Sequence, residues 1–116
     1  MIINIMPINI DTTKPITAIM VRDAMVDCFI SAHSKELEDI KSYVKISDEE
    51  FERMKRMDVE ALIKKIFEDT GGNFDSPTKE SLMKALNALA EFAKNFRDQK
   101  TVAENYGGMK KLVDLL

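Results

Sequence analysis

With 45% hydrophobic and 32% charged side chains in 116 residues, and only three Pro and four Gly, the chain has apolar material for one core, is too short for two, and is too apolar for intrinsic disorder. Seventeen basic against twenty acidic residues give a formal charge of −3, the wrong sign for a domain whose affinity would come from neutralising phosphates, so no nucleic-acid partner is expected. Residues 16–32 are the most apolar stretch but carry Arg22, Asp23 and Asp27, and no basic region precedes an apolar run at the N-terminus; neither a membrane span nor a signal peptide is expected. The lone Cys28 cannot form an internal disulfide, which points to a cytoplasmic location.

In chain order, residues 1–13 read as a short extended arm. Isoleucines at 3, 5, 8 and 10 favour extended backbone, and Pro7 removes a ladder donor, which limits the arm to an edge strand or an extended segment lying on the helices. Met6 is an alternative start. Thr12 and Thr13 ahead of Pro15 predict a helix from about Lys14, and residues 14–116 form one helical domain. Ile16, Ile19, Met20, Val26, Phe29 and Ile30 place apolar groups on several sides of this first helix, so it is expected to be central. Cys28, beside Asp27 and followed by Phe29 and Ile30, reads as a buried small hydrophobe, and His33 as a helix-terminal residue.

Leu37, Ile40 and Val44 form the stripe of an ordinary surface helix, which either continues the first helix or restarts at Ser34. Ser47 with Glu50 is a capping-box start. Phe51, Met54 and Met57 give that helix an apolar edge, and Asp58 is then expected to cap a new one carrying Val59, Leu62, Ile63, Ile66 and Phe67, closed by Gly71 and Gly72. The cations Arg53, Lys55, Arg56, Lys64 and Lys65 read as a solvated face, or as a match for an acidic partner. Ser76 and Pro77 start a long helix with Leu82, Leu86, Leu89 and Ala93 along one side, also expected to be central. Asp98 caps a short helix ending at Gly107 and Gly108, and Met109, Leu112, Val113, Leu115 and Leu116 make a closing helix. The fold class is therefore all-α, with about six helices in a bundle or short array.

From residue 76 onward the order of long helix, polar turn, short helix, two glycines and closing helix resembles an armadillo repeat. The likeness is carried by Ala85, Leu86, Ala88, Leu89 and Ala93, by Gly107 at the bend, and by Leu112, Val113, Leu115 and Leu116; residues 58–67 are a fainter echo of a preceding closing helix. The resemblance implies stacked helices presenting a groove to extended protein segments, without catalysis. Such arrays need about three units, and this chain has room for about two and a half, which leaves an apolar end to be covered by self-association.

Catalytic and metal signatures are missing from the pattern. His33 and Cys28 lie about 140° apart around a helix, and the run at 68–75 lacks the acid spacing of a calcium loop. No cofactor or metal is expected, and the eight methionines read chiefly as core filling. The expected function is a non-catalytic protein-interaction or assembly module, a homodimer contacting its partner through Tyr106, Met109, Leu112, Leu115 and Leu116. The alternative is a small-molecule-binding accessory subunit with an apolar, Met-rich pocket between the first helix and the helix after Ser76.

Overall fold

The computed structural model describes residues 2–5, 8–11 and 15–116, the first eight of these by their backbone alone. Met6, Pro7, Thr12, Thr13 and Lys14 lie outside the described residues. The arm is a hairpin: β1 (Ile2–Ile5) pairs antiparallel with β2 (Ile8–Asp11), Ile2 opposite Asp11 and Ile5 opposite Ile8. Among the described residues five α-helices follow, and the fold is an all-α bundle.

Helix α1 (Ala18–Ala32) starts later than the Thr12–Pro15 signal predicts, because Thr17, in extended conformation, is the residue whose hydroxyl accepts the Met20 N–H at 3.2 Å. Its buried residues Val21, Ala24, Met25, Cys28, Phe29 and Ala32 follow the i, i+3, i+4 rhythm, and Val26 widens the stripe. His33 ends α1, donating its N–H to the Phe29 and Ile30 carbonyls, and simultaneously starts α2 (Ser34–Tyr43). The bend therefore occurs with neither Gly nor Pro. Helix α2 buries no residue.

Helix α3 (Asp48–Asp69) begins at the Ser47 cap, where the Ser47 hydroxyl accepts the Glu50 N–H at 3.2 Å. It runs unbroken through Asp58, where a second start was expected. Val59, Ile63 and Phe67, four residues apart, lie on the core face, and Phe51 is buried nearer the start of the same helix, so burial on both sides of Asp58 holds the chain helical past a residue that would cap an isolated segment. Its end is a Schellman turn: Gly71, at φ +86°, donates to the Glu68 carbonyl and Gly72 to that of Phe67. A Cβ on Gly72 would meet Ser81 Cβ at 2.8 Å, which is how closely this turn approaches the next helix.

Helix α4 (Lys79–Ala93) is opened by a reciprocal pair, Ser81 N–H to Thr78 Oγ1 at 3.1 Å and Thr78 N–H to Ser81 Oγ at 2.8 Å, two residues beyond the Ser76 start predicted. Helix α5 (Gln99–Asp114) is capped by Asp98 as expected, through the N–H and hydroxyl of Thr101. It too is continuous, through Gly107 and Gly108, where the armadillo-like order implies a bend. Val102, Asn105, Tyr106, Met109, Leu112 and Val113 form one buried stripe across the glycines. With Asp58 and Gly107 inside helices, fewer helices result than the six expected.

The core is a single cluster shared by α1, α3, α4 and α5, with α1 packed against the other three. Among the described residues Asn105 is a deeply buried polar side chain, and it donates to the Cys28 carbonyl at 3.2 Å.

Candidate functional site

The expected contact residues are placed inside the bundle. Met109 and Leu112 are fully buried, Tyr106 nearly so, and Leu116 packs against the core. Only Leu115, 49% exposed, is open to a partner. The correction has a plain cause: the apolar stripe of α5 faces α1 and α4 of its own chain, and Lys79 Nζ reaches the Asp114 and Leu116 carbonyls, so the closing helix is covered internally. The methionine-rich space between α1 and α4 is likewise filled: Met25 and Met109 are fully buried members of the core and Met83 packs on it. Cys28 is fully buried, and burial followed by the neighbouring Asp27 charge pushes its thiol up to about 12, so it is inert.

The surface that stands open is around α2. This helix is held by polar contacts: the Arg97 N–H donates to Glu36 Oε1 at 2.6 Å, the Arg97 guanidinium pairs with Asp39, and Lys41 pairs with Asp48 at 2.8 Å. Burial opposes the Glu36 charge, but the Arg97 N–H, the residue's own backbone, His33 and the Arg97 guanidinium outweigh it and hold the carboxyl below its usual range. Leu37 on α2, Val59 and Leu62 on α3 and Phe92 on α4 surround an apolar cleft of about 160 Å³. Phe29 and His33 form its floor, Lys55 and Asp58 its rim, and Phe92 is 49% exposed. The His33 ring stacks on Phe96 at 4.3 Å and meets the Phe29 edge; burial lowers its pKa, with Glu36 pulling the other way.

On the other side of α3 a wider groove of about 690 Å³ lies against the end of α1. Its charges are largely paired off, Arg56 with Asp27 at 2.6 Å and with Glu60 at 3.2 Å, and Lys55 with Glu52 at 2.8 Å, which leaves a predominantly apolar lining of Ile30, Met57 and the aliphatic stems of the paired side chains.

The spacing of Leu37 and Ile40 marks one stripe, but no local pattern brings Leu62 and Phe92 across to it. Among the described residues no group of His, Cys, Asp or Glu could hold a metal ion, and no helix is long and apolar enough to cross a membrane. No known protein family, curated protein or solved structure matches the chain.

Proposed function

We propose that this chain is a non-catalytic protein-interaction and assembly module of the cytoplasm, gripping a partner by one large apolar side chain inserted between α2, α3 and α4. The observation that carries the reading is the half-open cleft itself. At about 160 Å³ it is below the roughly 300–1,000 Å³ of small-molecule sites, and close to the engineered cavity of about 150 Å³ that takes benzene. Its walls, Leu37, Val59, Leu62 and Phe92, are aliphatic or aromatic, and its rim charges, Lys55 and Asp58, are of opposite sign, which suits a peptide backbone or polar helix edge around the anchor. Burying a Leu- or Phe-sized anchor stabilises a complex by about 1.5–3 kcal/mol, so the anchor serves as the centre of a larger contact. A free, buried thiol fits a reducing compartment. The armadillo-like resemblance implies the same kind of function, a groove for protein segments, along different helices.

Selection of a displayed library of helical peptides on the folded chain, repeated on Phe92→Ala and Leu62→Lys variants, tests the reading. Enriched peptides should share a large apolar anchor and lose binding to both variants. Peptides that bind all three proteins equally would refute it.

A further inference from the structure

We infer that the outward face of α3 pairs with the same face of a second copy of this chain, the two helices running antiparallel about Met57. The inference deepens the assembly half of the reading above and rests on it, but uses a surface separate from the apolar cleft. While Val59, Ile63 and Phe67 turn to the core, the opposite side of α3 carries Glu50, Met54, Met57, Ala61 and Lys64 at intervals of four, three, four and three residues, the spacing of a helix-pairing seam. All five are exposed, and the two methionines at its centre are 51% and 63% exposed, although each is long and apolar. Single exposed apolar residues are ordinary, but two on the axis of a seam that ends in a small residue form a continuous strip.

Charge decides the occupant. The first turn of α3 is acidic, with Asp48, Glu49 and Glu50, whereas Lys64 and Lys65 stand in its fifth turn. Glu50 and Lys64 are each seven residues from Met57, so an antiparallel crossing centred there lays the acidic turn of one copy over the lysines of the other, twice. Met57 then meets its own counterpart, with Met54 and Ala61 on either side. Glu68 and Asp69 fall beyond the start of the facing helix and meet no acid. A parallel pairing would set acid on acid and lysine on lysine. A two-fold interface must be self-complementary, and the antiparallel arrangement satisfies this in charge, in size and in the opposition of the helix dipoles. Met57 also stands at the lip of the 690 Å³ groove beside α3, which gives flanking side chains of the second copy somewhere to lie. One helix pair with its flanks is at the small end of specific interfaces, below about 1,200 Å². The dimer is therefore weak and concentration-dependent.

Sedimentation equilibrium on the full chain across a wide concentration range tests this, together with Met57→Glu, the reversal Glu49→Lys with Glu50→Lys, and that reversal combined with Lys64→Glu and Lys65→Glu. A monomer–dimer equilibrium is expected, weakened more than about tenfold by Met57→Glu, weakened by the first reversal and restored by the combined one. In parallel, Met57→Cys should cross-link readily under mild oxidation, Lys110→Cys on α5 should not, and circular dichroism of every variant should match the parent. A dimer indifferent to Met57→Glu and to both reversals would overturn the α3 pairing while leaving an assembly module standing. A chain monomeric at every concentration would overturn the pairing and self-association together, and peptide binding in the Phe92 cleft would then stand or fall by its own selection.

Discussion

Replacing Gly107 by Ala should stabilise the protein, and the sign of that effect decides whether α5 is one helix or two. Gly107 lies in the middle of α5, its φ is not positive, and a Cβ built on it meets no atom within 4 Å. Nothing in the folded state opposes the methyl group, while the unfolded chain loses conformational freedom, so the gain is the intrinsic difference between Ala and Gly inside a helix, about 0.5–1 kcal/mol. For a chain of this length the unfolding entropy is roughly 0.24 kcal/mol per degree, which converts the gain to about 2–4 °C in Tm. Gly71 supplies the control. Its φ of +86° is strained for any L side chain, so Gly71→Ala should lower Tm although it too has open space around it. Thermal and urea unfolding followed by circular dichroism read both variants. A Gly107→Ala protein destabilised by about 1 kcal/mol or more would mean that residue 107 occupies a bend, as the armadillo-like order implies, and would refute the continuous helix.

Two further outcomes follow from burial and charge. Leu112→Ala should cost about 2–5 kcal/mol of stability by urea titration because Leu112 is fully buried, whereas Leu115→Ala should stay within about 0.5 kcal/mol; equal effects would contradict the internal covering of α5. His33 has a pKa lowered by burial against the counter-pull of Glu36, so the unfolded state binds its proton first and stability should fall as the pH drops through the ordinary histidine range near 6.5. Glu36, held below its usual range, adds a second loss that begins at more acid pH, as the unfolded state takes up the carboxyl proton before the native state does. In a Tm series from pH 8 to pH 4, His33→Gln should flatten the upper part and, because His33 is one of the groups holding Glu36 down, also reduce the lower part without abolishing it; an unchanged upper part would mean that His33 does not set it.

Where a local rule and a periodic one agreed, the sequence was readable. The caps at Ser47 and Asp98 are side-chain bonds to an amide three residues on, and the Gly71–Gly72 stop is a backbone requirement, so neither depends on the rest of the molecule. Burial of Cys28 and the central places of α1 and α4 followed from apolar residues at helical spacing. At Asp58 and at Gly107 the two rules conflict, and periodicity wins. An exposed Asp or an unobstructed Gly costs little inside a helix, whereas breaking the helix between Phe51 and Phe67 or the stripe from Val102 to Val113 would uncover several core side chains. The burial of Tyr106, Met109 and Leu112 was illegible for a different reason. An apolar terminal helix looks uncovered in one dimension, and that α1 covers it is a tertiary fact with no local trace. Met54 and Met57 carried a signal that was legible: they are out of phase with the Val59, Ile63, Phe67 stripe and so cannot share its core face.

The manner in which α2 is attached bears on the cleft it borders. Every other helix is fixed by buried apolar residues, but α2 contributes none and is anchored by Arg97 to Glu36 and Asp39 and by Lys41 to Asp48, all with substantial exposure on at least one side of the pair. Exposed ion pairs are screened by salt and contribute little, so among the helices α2 is the one whose displacement disturbs the core least. Leu37 moves with α2, while Val59, Leu62 and Phe92 stay with the bundle, so the width of the cleft is set by its weakest-held wall. An anchor somewhat larger than the resting volume can thus be admitted by a small shift of α2 at low cost, whereas an anchor pressing on α3 or α4 would have to move the core. On the proposed reading, that asymmetry would let a cleft of this size take Leu, Met or Phe as the anchor without any change in the packing of α1, α3, α4 and α5.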